Sequence, residues 1–252
     1  MSELVLDATA IHPRRAILNY RAETVDELRV ARVCIAKVRT HILFSVPCEE
    51  SKSMMITSTI PNEGKSTIAT LLALSFAATG RKILLIDADM RRPFLHSCLG
   101  LKNQKGLHEY LQGRADIENI VQPIAGTSLF LLPGGTPIGN PTEIITSEKF
   151  TELISTLQQQ YERIFIDVPP VLYIPDGIIL AKHIQSTLLV CRSGIVHRNA
   201  LLSVKHQFDE MKLRHTLIGA VINGMDMENE KIGYKYFASY KNYYHSPAEG
   251  EK

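Results

Sequence analysis

Apolar residues in this chain fall into two kinds of run, and their alternation lays out a fold. Short blocks that are apolar nearly throughout occur within 53–60, 82–89, 128–132, 163–167, 186–191 and 217–222. Blocks this short, with no polar face, predict strands buried on both sides, as in a parallel sheet. Between them lie stretches whose apolar positions recur every three or four residues: 64–79, 148–161 and 198–212, with shorter helical pieces at 106–113 and 176–182. Asn140-Pro141 opens a further helix with Pro in its first turn. Strands alternating with helices predict an α/β fold, a three-layer sandwich of a mostly parallel central sheet with helices on both faces. No repeat and no linker divides the chain, so residues 23–230 read as one domain.

Upstream of the first strand, Thr24-Val-Asp-Glu27 is a capping box. Leu28, Ala31, Ile35, Val38 and Ile42 then form one apolar stripe, with Arg29, Arg32, Lys37 and Arg39 largely off it. That basic face is either solvated or a contact surface for another subunit. Residues 1–22 lack periodicity and read as an extended or mobile arm.

The chemistry concentrates after the first strand. Thr57-Ser-Thr-Ile-Pro-Asn-Glu-Gly-Lys-Ser-Thr67 joins that strand to a helix, the context a phosphate-binding P-loop requires. Pro61 and Asn62 shape the loop, and across Pro61, Asn62, Glu63, Gly64, Lys65, Ser66 and Thr67 the inward-facing N–H groups of the residues other than proline, with the helix dipole, would cradle phosphates. Lys65 would reach the outer phosphates, and the Ser66 hydroxyl would bind Mg2+. The full pattern places Gly where Thr59 stands, and Asn62 is the non-glycine type that best tolerates positive φ. Asp87 and Asp89 close the second strand, on one face if the strand is regular there. Asp167 closes the 163–167 strand, where a Walker B acid holds the metal. Open α/β sheets place ligands at these C-terminal strand ends.

Composition narrows the options. A net charge of +2 gives no field suited to nucleic acid. The four cysteines are far apart and form no CxxC pair, which suits reduced thiols in the cytoplasm. No apolar run approaches a bilayer span. The last segment, 231–252, is different: Tyr234, Tyr236, Tyr240, Tyr243 and Tyr244 place five of the nine tyrosines among lysines with few aliphatics, which predicts a flexible tail.

Pro61-Asn-Glu-Gly-Lys-Ser-Thr67, Leu85-Ile-Asp-Ala-Asp-Met-Arg-Arg-Pro93, Ile166-Asp-Val-Pro-Pro170 and the tyrosine cluster together resemble the bacterial tyrosine kinases of capsule and exopolysaccharide export. The resemblance spans roughly residues 30–245, and each motif alone also occurs in related partitioning ATPases. It implies a P-loop NTPase fold, ATP and Mg2+ as cofactors, and autophosphorylation of the tail in trans. Lys65 and Ser66 would hold ATP and magnesium, Asp87 and Asp167 would organise the metal, and Asp89 would be the base for the tyrosine hydroxyl. Arg91 belongs to the same signature without an assigned role, and Asn223 falls where relatives contact adenine. The implied partners are a transmembrane polysaccharide co-polymerase that activates the kinase at the inner face of the plasma membrane, other copies of the chain, and a cognate tyrosine phosphatase. The family's Glu-x-x-Arg-x-x-Arg helix motif, which assembles rings, is mostly lost: Val33 and Ala36 precede Arg39. Asp26-x-x-Arg29-x-x-Arg32 has similar spacing one stretch earlier. Two other readings of the same loop stay open: an ATP-hydrolysing switch acting by binding, and a nucleotide-binding scaffold without turnover.

Overall fold

The computed structural model of the chain describes residues 7–8, 25–46 and 51–224. Its strands are β1 (Asp7–Ala8), β2 (Ser53–Ser58), β3 (Ile83–Asp87), β4 (Gln122–Pro123), β5 (Leu129–Leu132), β6 (Arg163–Asp167), β7 (Ser186–Arg192) and β8 (Leu217–Asn223). They form one sheet in the order β1-β8-β7-β2-β6-β3-β5-β4. Every pairing is parallel except β4 with β5. The helices are α1 (Val25–Ser45), α2 (Lys65–Ala77), α3 (Leu95–Leu99), α4 (Leu107–Leu111), α5 (Ile117–Ile120), α6 (Thr142–Ile145), α7 (Glu148–Gln160), α8 (Pro175–Ala181) and α9 (Arg198–Glu210).

The central strands are buried on both faces because both faces are apolar. Met54, Ile56, Ile83, Leu85 and Phe165 point into one core with Ile68, Leu72 and Phe76 of α2. Met55, Leu84, Ile86, Ile164 and Ile166 point into the other, with Phe150, Leu153 and Leu157 of α7 and Val204 and Phe208 of α9. The period-two alternation of strand side chains thus feeds two apolar layers. The predicted stripe on α1 is the face that packs: Ala31, Ile35, Val38 and Ile42 are buried, the last three against the α2 side. Arg39 is not part of a solvated face, since it donates to the Ser75 carbonyl of α2 at 2.6 Å.

Of the 1–22 arm only residues 7 and 8 are described; they pair with Ile222 and Asn223 as an edge strand. Residues 225–252, with all five clustered tyrosines, lie outside the described residues. Among the described residues no helix is long and apolar enough to cross a membrane.

What the topology does for function is set by three neighbours. β2, β6 and β3 are adjacent, and parallel, so the loop after β2 and the acids ending β6 and β3 emerge side by side at one edge of the sheet.

Candidate active site

The loop from β2 to α2 is built by two left-handed residues, Asn62 (φ 68°) and Gly64 (φ 94°). Asn62 adopts the positive φ that its side chain tolerates. Thr59 is not among the positive-φ residues, so the glycine missing from the pattern is not needed there. Its hydroxyl instead donates to the buried Glu63 carboxylate, which also accepts from the Ile60 N–H (2.8 Å) and the Arg192 N–H (3.1 Å). Glu63 therefore braces the loop from within, and its backbone rather than its carboxylate is available for a phosphate. Behind the loop, Asn223 Nδ2 donates to the Glu63 carbonyl at 2.9 Å. A Cβ on Gly64 would lie 2.2 Å from that nitrogen. Asn223 reaches the site and props the loop from beneath.

No side chain caps α2. Its first-turn N–H groups, from Lys65 to Thr67, have no carbonyl one turn back, which suits an anion at this helix start.

Lys65 leans across to the acids. Its Nζ lies 3.1 Å from Asp89 Oδ2 and 3.2 Å from Asp167 Oδ2, and 3.2 Å from the Ser66 hydroxyl. Burial works against its charge, yet the carboxylates, Asp167 first and then Asp89 and Asp87, raise its pKa above the ordinary lysine value. Asp167 is 1% exposed; burial raises its pKa, opposed by Lys65 and by a hydrogen bond from Ser66. Asp87 is pushed up to about 7 by burial and then by the adjacent Asp167. Its Oδ2 accepts the N–H groups of Phe94 (2.8 Å) and Leu95 (2.9 Å), while its buried Oδ1 has no partner.

The condition under which Asp87 and Asp89 would share one face, a strand regular through both, is not met. β3 ends at Asp87, and Asp89 lies on the loop beyond, where its Oδ1 accepts the Arg92 N–H at 3.2 Å. That departure gives the two acids different tasks: Asp87 stays beside Asp167, and Asp89 meets Lys65. Arg91 is engaged elsewhere. It pairs with Asp176 on α8, at 2.6 Å from Nε and 3.2 Å from Nη2, and donates to the Gly139 carbonyl. Nothing in the sequence singled out Asp176 beyond its place at a helix start.

A divalent cation fits this geometry. Two buried carboxylates repel each other and one oxygen is orphaned. Among the described residues no three His, Cys, Asp or Glu side chains close on a metal by themselves. Mg2+ characteristically takes one or two carboxylates and completes its shell with phosphate oxygens and water, so Ser66, Asp167 and Asp87 would hold it in company with nucleotide. A cavity of about 680 Å³ lies elsewhere, between the C-terminal end of α2 (Leu74, Ala77) and Gly126–Ser128. It has no charged lining and is not the phosphate site.

Comparison with known proteins places the chain in a family. Residues 59–211 match the AAA domain family. The chain is 34% identical over 206 residues to tyrosine-protein kinase YwqD of Bacillus subtilis, covering 82% of this chain and 86% of that one. It is 33% identical over 228 residues to tyrosine-protein kinase CpsD of Streptococcus agalactiae, covering 88% and 96%. The solved kinase domain of the Escherichia coli tyrosine kinase ETK superposes with a TM-score of 0.75 at 25% identity, over 87% of this chain and 89% of that one.

Proposed function

Given that this chain belongs to the bacterial tyrosine-protein kinases, with an AAA-type P-loop core, we propose that it transfers the γ-phosphoryl group of ATP to the tyrosines of its own C-terminal segment, in trans, and thereby regulates exopolysaccharide or capsule export. The observation that carries this reading is Lys65 held between Asp89 and Asp167 beside Ser66. One cation, one hydroxyl and the metal-organising acids converge at the mouth of the P-loop.

Phosphoryl transfer depends on positioning and charge neutralisation more than on covalent help from the protein. The P-loop N–H groups orient the triphosphate, and Lys65 leaves its carboxylate partners to meet the outer phosphate oxygens. Bound Mg2+ adds charge neutralisation there. The tyrosine Oη forms a bond to γ-phosphorus as the bond to the β,γ-bridging oxygen breaks, and ADP leaves. A phenol has a pKa of about 10, so its proton needs an acceptor as the bond forms; Asp89, on the loop beside Lys65, takes it. Tyr234, Tyr236, Tyr240, Tyr243 and Tyr244 are the acceptors. Each phosphate adds roughly −1.5 to −2 charges, which drives the modified segment away from the acidic site. The family resemblance supplies the remaining partners, a membrane-embedded co-polymerase as activator and a tyrosine phosphatase that resets the tail.

The test is incubation with Mg-ATP, with and without the activator's cytoplasmic segment, followed by phosphotyrosine mapping by mass spectrometry. Label confined to the five tail tyrosines, and absent when all five are Phe, is the expected result. ATP turnover that persists with no tyrosine label in the parent would leave a nucleotide switch as the function.

A further inference from the structure

The loop between β3 and α3 carries Asp89, and one ion pair fastens its middle. Asp176 is 1% exposed and sits in the first turn of α8. Both of its oxygens are used on Arg91, at 2.6 and 3.2 Å, and Oδ1 also accepts the Thr142 hydroxyl of α6 at 3.1 Å. Arg91 donates in addition to the Gly139 carbonyl. One residue away, the Met90 carbonyl accepts the Ile138 N–H at 3.0 Å. The loop is therefore tied to two other segments, the one leading into α6 and the start of α8. α8 follows the loop that leaves Asp167, so the pair joins the wall bearing Asp89 to the wall bearing Asp167.

We propose that Asp176 is a positioning residue for phosphoryl transfer: through its two-point grip on the Arg91 guanidinium it fixes the loop that presents Asp89. The physical reason is geometric. A carboxylate facing a guanidinium in two-point contact fixes angle as well as distance, and Asp89 lies only two residues from the fixed point. The Arg92 N–H bonds both the Asp89 carbonyl and its Oδ1, so a shift of Arg91 is passed directly to the Asp89 carboxylate. Misplacement of a reacting group by about 1 Å costs on the order of 100-fold in rate. This inference rests on the reading of Asp89 as proton acceptor.

The experiment compares Asp176→Asn, Asp89→Asn and the double variant in the full chain, reading the rate of tail phosphorylation at saturating Mg-ATP, binding of a fluorescent ATP analogue, and melting temperature. Asp176→Asn keeps the shape of the side chain but loses its charge. The expected result is a fall of roughly tenfold or more in transfer rate, nucleotide affinity close to the parent, and a double variant no slower than Asp89→Asn alone. Arg91→Lys should reproduce the Asp176→Asn defect, because it keeps the charge and loses the fork; it also serves if Asp176→Asn does not fold. A double variant slower than Asp89→Asn by the full Asp176→Asn factor overturns the inference and leaves Asp89 as acceptor. Nucleotide affinity lost in step with melting temperature overturns it too, as does an Arg91→Lys protein of parental rate. An Asp89→Asn protein that transfers at the parental rate removes the reading of Asp89, and the inference with it.

Discussion

Asp87 and Asp167 are register partners at the ends of β3 and β6, buried side by side with the Lys65 charge acting on both. Parallel pairing of the two strands makes this crowding unavoidable, and the crowding is what a divalent cation relieves.

Asp87→Asn is accordingly expected to separate stability from activity. The amide oxygen can still accept the Phe94 and Leu95 N–H groups that Asp87 Oδ2 accepts, while the repulsion with Asp167 disappears. In EDTA the variant should melt at or above the parental temperature, yet its Mg-ATP-dependent transfer should drop at least 100-fold, on the order of losing one electrostatic contact at a reacting centre. Differential scanning fluorimetry and phosphate incorporation check the two halves separately. A variant that melts well below the parent would mean that the charge, and not the oxygen, caps the start of α3.

Gly64 and Asn223 give a second, double-mutant prediction. Gly64→Ala meets both a clash with Asn223 Nδ2 at 2.2 Å and a φ of 94°. Asn223→Ala removes the clash and the prop under Glu63, a hydrogen bond worth about 1 kcal/mol. The double variant should therefore be more stable than Gly64→Ala alone, but should not regain the parental value, because a left-handed backbone still costs an L-residue about 1–2 kcal/mol. Urea midpoints of the four proteins read this directly. ATP affinity should fall in every variant, since each disturbs the loop.

The sheet and its main helices were legible because their signal is local. Strands such as Ile83–Asp87 and Arg163–Asp167 are apolar on both faces, and α7 and α9 carry clear three- and four-residue periods. The P-loop could be placed for the same reason: its motif joins a strand to a helix. What escaped was set by distant partners. α3 has five residues and no side-chain cap of its own; its first N–H groups are satisfied by Asp87, seven and eight residues upstream. β4 and β1 are two-residue edges made by pairing alone. Asp176 is 85 positions from Arg91, and Glu63 turns inward to a residue 129 positions away. No local pattern encodes such contacts.

Two thiols test how closed the site's surroundings are. Burial, reinforced by Asp167 and Asp87 at Cys98 and by Glu63 at Cys191, pushes both pKa values up to about 12. An unfolded thiol titrates near 8.5. The folded state thus keeps these protons where the unfolded chain releases them, so stability falls as pH rises from about 9 towards 12. At pH 8 neither thiol should react with a maleimide on the timescale that labels the unfolded chain, and mass spectrometry of labelled peptides identifies which do. Rapid native labelling of Cys98 would mean that the segment beside Asp87 opens readily.

Lys65→Met carries the last prediction, and its sign differs with and without metal. Lys65 is the cation bridging Asp89 and Asp167, and removing one member of a buried pair leaves the others uncompensated, at a typical cost of about 3–5 kcal/mol. The variant should melt lower than the parent in EDTA. With its cation gone, the acid cluster competes for Mg2+ without having to displace a lysine, so added Mg2+ should raise the melting temperature of Lys65→Met by more than that of the parent, following the mass-action dependence of stability on ligand concentration. Tail phosphorylation should nevertheless stay at least roughly 100-fold down at every Mg2+ concentration, because the metal restores charge balance among the acids without restoring the donor for the outer phosphate. A titration of melting temperature against Mg2+ for the two proteins, run beside the transfer assay, distinguishes this from general unfolding: equal Mg2+ responses would show that Lys65 does not contest the acids with the metal.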